Sequence, residues 1–475
     1  MKNYRSYISI LLVLFVFSSC NDFLDLAPVS EIGENGFYQN ESELDAGVIA
    51  IYDGLQQVPE VEFAVTDLRS DNGRTKTSEG AWAQFENMNV DPTNATVSEY
   101  WSYNYNAIFR ANKVLENLGN IEDGAKKSQF EGEAKFVRAL CHFNLVRNFG
   151  GVPVITQIVG PTDEAFFSRN SEAEVYDAIK ADLIEAVSLL PGRSEIGEGR
   201  ATVAAAQTLL AKVYLQLGEY GSAKSLLDAV ISNPDYDLMG DYNDVFYVEN
   251  NKEIIFNIQY INDNANDSQN FSYSMTWAGR AGGLNYPTLD LISLVYPGAV
   301  NGTSAVEVDP STVPDKRFAT LFYFEPKANN RYECGKWRTD AASPENGGGN
   351  DWIVLRYGDV LLMRAEAIMG GGSSTSDGTA VGDFNKIRTR AGLETVTSIT
   401  KQMLLDERRI EMAFENYRLA DLVRFGEAVN VMTAYATLPT GDAGVSYKFT
   451  SDDLLLPIPQ REINLYDGLE QNPGY

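Results

Sequence analysis

The stretch Ala201–Asn233, ATVAAAQTLLAKVYLQLGEYGSAKSLLDAVISN, decides the fold. Its apolar residues fall at Ala206, Leu209, Leu210, Val213, Tyr214 and Leu217, in steps of three and one. That spacing is one face of a 3.6-residue helix. Gly218 and the Glu219-Tyr220-Gly221 turn interrupt it, and a second apolar face follows at Ala223, Leu226, Leu227, Val230 and Ile231. Pro234 closes the second helix, because proline cannot continue one from within. The segment is therefore a helix–turn–helix unit with both apolar faces turned inward.

Small Ala206, large Tyr214, the Leu-Gly-x-Tyr turn and Ala223 match the tetratricopeptide pattern. One such unit cannot bury its own face and needs neighbours to stack on. The expectation is a mainly α protein: helical pairs form an α-superhelical scaffold with long loops and a few short β-strands. The insertions between pairs should carry the specific function.

The totals fit this picture. In 475 residues, 44% are hydrophobic and 22% charged, an ordinary globular composition. A formal charge of −28 argues against nucleic acid and against adsorption to anionic lipid heads. Cys141 and His142 share one apolar run and read as packed core residues. Cys334 sits in a polar loop. Nothing resembles a disulfide framework or a zinc site, and no metal or other cofactor is expected. The only histidine lies in an apolar helix, so a Ser–His–Asp or Cys–His mechanism has no natural base.

Outward from the central unit, residues 1–19 read as an export signal. Lys2 and Arg5 precede an apolar core from Ile8 to Phe17, too short for a stable transmembrane helix. Ser18-Ser19 stand before Cys20 as in a bacterial lipobox, which makes Cys20 the expected lipidated first residue. Acyl chains there would hold the protein on a membrane without spanning it. Residues 20–475 are read as one domain. Its parts are a helical half (20–250), a strand and loop-rich insert (251–350) as candidate ligand region, and a second helical half (351–475).

Helices are predicted over 41–57, 101–118, 130–149, 175–190, 353–369, 384–390 and 402–425, and a strand over 253–261 with period-two alternation. The last helix carries Arg408, Arg409, Glu411, Glu415, Arg418, Asp421 and Arg424, a density that suggests ion pairs between helices. Two loop-rich stretches carry tryptophans: Asp67–Trp82 and Asn262–Arg338. An aromatic face stacks on the apolar face of a sugar ring, and a few polar neighbours read its hydroxyls. The candidate platforms are Trp82, Trp277, Tyr286 and Trp337. Arg69, Asp71 and Asn72 would supply hydrogen bonds, and Arg338 a bidentate donor to an acidic sugar. Trp82 reads equally as a pin holding its loop to the core. The cations Lys316, Arg317, Lys327, Arg331, Lys336 and Arg338 would meet an anionic group or pair with Glu325, Glu333 and Asp340.

Several blocks together resemble the SusD/RagB nutrient-binding lipoproteins of the bacterial outer membrane. They are Cys20-Asn-Asp-Phe-Leu-Asp, Glu133-Ala-Lys-Phe-Val-Arg-Ala-Leu-Cys-His-Phe-Asn-Leu-Val-Arg-Asn-Phe-Gly-Gly-Val-Pro and Leu355-Arg-Tyr-Gly-Asp-Val-Leu-Leu-Met-Arg-Ala-Glu-Ala. Asn385-Lys-Ile-Arg-Thr-Arg-Ala-Gly-Leu, Asp406-Glu-Arg-Arg-Ile-Glu-Met-Ala-Phe-Glu-Asn-Tyr-Arg, Leu456-Pro-Ile-Pro-Gln-Arg-Glu-Ile-Asn and Gln471-Asn-Pro-Gly-Tyr complete the set. The resemblance implies a lipid-anchored glycan receptor that acts as lid on a SusC-like, TonB-dependent transporter. It locates no ligand site, since the family's sites lie on variable loops. Two other readings stay open: a surface glycoside hydrolase, which needs two carboxylates about 5–10 Å apart, and a scaffold lipoprotein that binds a protein partner.

Overall fold

The computed structural model describes residues 37–475 apart from 77–79, 161, 277–282, 327–328, 340–346, 439–447 and 467. The expected signal peptide, Cys20 and Trp277 lie outside the described residues.

The central unit forms as read. Helices Val203–Gln216 and Tyr220–Ile231 are joined by a turn in which Gly218 has a φ of 71°, the left-handed region glycine enters without a Cβ penalty. Thr202 caps the first helix, its hydroxyl accepting from Ala205 N. The predicted neighbours stack around it. Glu41–Leu55, Ala95–Asn117, Ala125–Phe149 and Glu172–Leu189 pack in succession and lead onto Val203–Gln216. A capping box at Ser171 and Glu174 starts the fourth of these. Tyr357–Met369 packs on Tyr220–Ile231, and Gly378–Arg390 packs on Tyr357–Met369 in turn. The fold is mainly helical, with strands only in short two-stranded pairs among the described residues. Most buried apolar side chains form one cluster that runs from Leu44 to Leu469, and a smaller second one gathers Leu405, Leu419, Leu422, Ala428, Met432, Tyr435 and Phe449.

Three local expectations are corrected. Residues 353–356 are not helical: Trp352–Arg356 is a strand paired antiparallel with Ile254–Ile258. Its β-branched run is buried apart from Val354, so no alternation separates it from the helix that follows. Ile254–Ile258 was expected to be half-buried, but all five of its residues are inside, with Phe256 packed on Phe136 at 4.9 Å between ring centroids. The helix expected over 402–425 is broken. Lys401–Glu411 and Arg418–Arg424 are separate, and Phe414 and Asn416 between them have φ of 62° and 66°. Carbonyls freed by the break are taken by side chains: Glu411 O by Arg356 Nη2 at 2.7 Å, Ala413 O by Lys336 Nζ at 2.6 Å and Phe414 O by Trp337 Nε1 at 2.7 Å. Three donors from distant segments replace the helical ladder, so the local helical periodicity is overridden.

The charged density on these two helices is a buried lock. Arg356 binds Glu253 (2.9 Å), Glu411 (2.7 Å) and Glu415 (2.7 Å), while Arg317 binds Asp315 (2.7 Å), Glu407 (2.6 Å) and Glu411 (3.1 Å). Arg390 adds Glu253 at 2.7 Å and Lys336 adds Glu415 at 2.7 Å. Burial opposes the Glu411 charge, but Arg390, Arg356 and Arg317 hold its carboxyl well below the usual range. The insert is thereby fastened to the second helical half. Its cations Lys336 and Arg317 pair mostly with that half, while Arg331 pairs with Glu333 at 3.0 Å, as one of the two readings has it; Lys327 and Asp340 lie outside the described residues.

Candidate ligand-binding site

The two loop-rich stretches meet. Gly73 pairs with Pro287 and Arg74 with Tyr286 in a two-residue antiparallel ladder. Gly73 permits this approach, since a Cβ there would stand 2.4 Å from Asn285 Oδ1.

Four of the eight expected contact residues are buried. Arg69 is buried and donates to Val65 O (3.2 Å) and Asp453 O (2.8 Å). Asp71 is buried between Arg418 (2.7 Å) and Arg409 (3.1 Å). Burial works against its charge, yet the two guanidinia hold its pKa down at about 2. Asn72 Oδ1 accepts from Arg409 Nε at 2.8 Å. Trp337 is wholly buried, stacked on Trp352 at 4.7 Å. None of these four presents an atom to a ligand: each is consumed by a partner from the core or from the second helical half. Trp82 is half-buried, its edge on Phe63 at 5.0 Å and its indole N–H donating to Thr96 Oγ1 at 3.1 Å. That is the geometry of a loop pin.

Tyr286 and Arg338 both lie against one hairpin, in contact with its side chains Arg331 and Tyr323. Strands Phe322–Glu325 and Arg331–Cys334 pair with Tyr323 opposite Glu333 and Glu325 opposite Arg331. Side chains alternate across a strand. Phe322, Phe324 and Tyr332 therefore share the face that packs around Phe318, where Phe318 and Tyr332 lie 5.5 Å apart. Tyr323, Glu325, Arg331 and Glu333 share the other. There the Arg331 guanidinium lies 3.8 Å from the Tyr286 ring centre, and the Arg338 guanidinium 4.0 Å from that of Tyr323.

Arg338 also lines a cleft of about 170 Å³ with Tyr247, Glu249, Asn262, Asn350 and Asp351. Tyr247 is 42% exposed and Tyr323 38% exposed. The Tyr247 hydroxyl donates to Gly335 O at 2.7 Å, which fixes the ring while leaving much of it in solvent. Two part-exposed tyrosines and several Asx side chains thus surround the exposed Arg338 guanidinium. Such a set stacks a sugar ring and reads its hydroxyls.

Tyr323 and Tyr247 were not among the expected site residues. The alternation Phe322-Tyr323-Phe324 carries the signal for Tyr323, with one aromatic turned out between two turned in. Tyr247 has no comparable sequence signal, since its exposure depends on where residues 335 and 349–351 pack.

Two carboxyl residues, Glu249 and Asp351, line the cleft. Burial raises Asp351 to about 6, but its oxygens accept from Asn257 Nδ2 (2.6 Å) and Tyr260 N (3.0 Å). His142 is a core residue as expected. Its Nδ1 donates to Arg138 O (3.0 Å), its Nε2 accepts from Ile155 N (3.3 Å), and burial with the nearby Arg138 charge lowers its pKa to about 3. Cys141 and Cys334 are buried thiols. Among the described residues no group of three or more His, Cys, Asp or Glu is placed to hold a metal ion, and no helix is long and apolar enough to cross a membrane.

Comparison with known proteins agrees with this architecture. Residues 323–475 match the profile described as SusD family, and residues 22–215 the profile described as starch-binding associating with outer membrane. A SusD-like protein of Formosa agariphila is 28% identical over 100% of both chains. The starch-binding protein SusD of Bacteroides thetaiotaomicron is 30% identical over 38% of this chain and 30% of its own. A laminarin binding SusD-like protein of known structure superposes with a TM-score of 0.74 at 27% identity, covering 92% of this chain and 100% of that one. With both ends matched by the profiles and the scaffold between them shared with solved relatives, the chain belongs to the SusD/RagB family.

Proposed function

We propose that this chain is a non-catalytic, cell-surface glycan-binding lipoprotein of the outer membrane, anchored through Cys20. It captures oligosaccharide or polysaccharide and passes it to a SusC-like, TonB-dependent transporter. The observation that carries this reading is the open edge around Arg338, where Tyr323 and Tyr247 present part-exposed rings beside Asn262, Asn350 and Asp351. Relatives named for starch and for laminarin set the first probes.

The hydrolase reading fits the site less well. Asp351 has both oxygens engaged by the protein, and the other carboxyls raised to about 7, Glu60 and Asp67, are largely or wholly buried. An acid that protonates a leaving oxygen must reach it.

The test is to titrate the full chain with laminarin, starch oligosaccharides and a wider glycan panel, and to examine each mixture for products. Binding at micromolar strength or weaker is expected, since hydrated hydroxyls leave a modest net gain per contact. Shorter sugars released by the pure protein would overturn the non-catalytic reading. Cys20→Ala should leave the membrane fraction; a variant that stays there would remove the anchor from the proposal.

A further inference from the structure

A separate cleft of about 250 Å³ lies between the end of Ala125–Phe149, the start of Glu172–Leu189 and the Arg418–Arg424 helix. Its walls are apolar where Leu419, Val423 and Leu455 line it. Its floor is polar, and three of its polar groups are only partly engaged by the protein. Asn416 is only 6% exposed; its Nδ2 donates to Glu62 at 3.1 Å, while its Oδ1 is buried without a hydrogen bond. The same residue is held at a φ of 66°, a conformation that costs energy for a non-glycine residue.

Tyr176 is 3% exposed, and among the described residues its hydroxyl has no hydrogen-bond partner, in contrast to the hydroxyls of Tyr100 and Tyr105. The Arg147 guanidinium donates through Nε to Phe143 O (3.3 Å) and through Nη2 to Asn144 Oδ1 (2.9 Å), leaving Nη1 unspent. Arg138, two and a half turns back on the same helix, grips Asp182 with two N–H groups; Arg147 has no carboxylate within ion-pair reach among the described residues.

A guanidinium with no direct ion pair, its charge acting on the buried Glu62 at longer range, a hydroxyl without a partner and a buried amide oxygen without a donor belong to residues that line one cavity. Of the three, the Asn416 oxygen is a buried orphan, and such atoms are uncommon and ask for a ligand or ordered water. The volume far exceeds that of one water and lies just below the roughly 300 Å³ at which drug-sized ligand sites begin.

We propose that this cleft is a second ligand site, for a single sugar acid of monosaccharide size. Its carboxylate meets Arg147, a hydroxyl donates to Asn416 Oδ1, another pairs with Tyr176, and the ring's apolar face rests on Leu419 and Val423. Glu172, exposed at the rim, keeps the negative end of the ligand directed inward. The site shares no residue with the edge around Arg338, so it stands whether or not glycan binds there.

The experiment is calorimetric and ligand-observed NMR titration of the full chain with D-glucuronate, D-galacturonate and D-glucose. One of the two acids should bind at least about tenfold more tightly than glucose, as a charge-assisted contact requires. Tyr176→Phe, which removes one hydroxyl, should weaken it about fivefold. Arg147→Met should abolish the preference for the acid. Val423→Trp, at a 37% exposed position on the mouth, should block binding without touching a polar group. Failure of both acids to bind, glucose binding as tightly as either, or binding indifferent to Val423→Trp would each overturn the proposal. Should Arg147→Met not fold, the Tyr176→Phe and Val423→Trp results decide it.

Discussion

Arg356 and Arg338 are both arginines beside a tyrosine ring, yet they do different things. Arg338 lies 4.0 Å from the Tyr323 ring centre and is open to solvent; Arg356 lies 5.9 Å from that of Tyr242 and is about 1% exposed. The buried one spends its donors on Glu253, Glu411, Glu415 and a main-chain carbonyl, and so closes the fold. The exposed one has donors left for a ligand. Residue type and spacing do not separate them; the number of carboxylates that the fold delivers does.

The same contrast appears four residues apart in one loop. Asp67 and Asp71 are each about 1% exposed. Asp71 faces two guanidinia and sits at about 2, whereas burial lifts Asp67 to about 7, with a hydrogen bond from Asn285 (3.3 Å) only partly opposing it.

The largest expected effect breaks the lock. Arg356→Met leaves three buried carboxylates without their shared cation and should cost about 3–5 kcal/mol, the range for removing one partner of a buried pair. Urea unfolding measures it; a loss below about 1 kcal/mol would mean that Arg317, Arg390 and Lys336 suffice.

Trp337→Ala comes next. It removes the ring stacked on Trp352 and the donor to Phe414 O, so stability should fall by about 3 kcal/mol. Glycan affinity of the folded protein should not change, and a selective loss of binding would return Trp337 to the site.

Asp67→Asn sharpens the carboxylate contrast. The folded chain keeps the Asp67 proton to about pH 7 while the unfolded chain releases it near pH 4, so this group's contribution to stability falls as pH rises through that window. The amide variant loses that fall. Relative to the parent it should gain on the order of 2 kcal/mol between pH 5 and pH 8. Parallel pH profiles for the two proteins would refute the elevated pKa.

The smallest effect on the fold is expected at the surface. Tyr323→Ala should change stability by less than about 0.5 kcal/mol. It should weaken glycan binding by about 1–2 kcal/mol, by analogy with bases stacked on aromatics. Unchanged titration curves for both Tyr323→Ala and Tyr247→Ala would move the site away from Arg338.

By itself the sequence determined the scaffold. Ala201–Asn233, Glu41–Leu55 and Ala125–Phe149 were legible because helical periodicity, caps and glycine turns act within a few residues. The ion pairs around Arg408 and Glu411 were legible as a density of charge, though not as to which partners they take. Tertiary structure alone decided which polar and aromatic side chains face out. Asp71 meets Arg418 across 347 positions, Trp337 reaches Phe414 across 77, and Arg356 finds Glu253 across 103. Each partner arrives from a segment whose position no local pattern encodes. Asn72, Arg69 and Trp337 thus read as a binding loop and fold as core, while Tyr323 and Tyr247 keep part of their ring surface open.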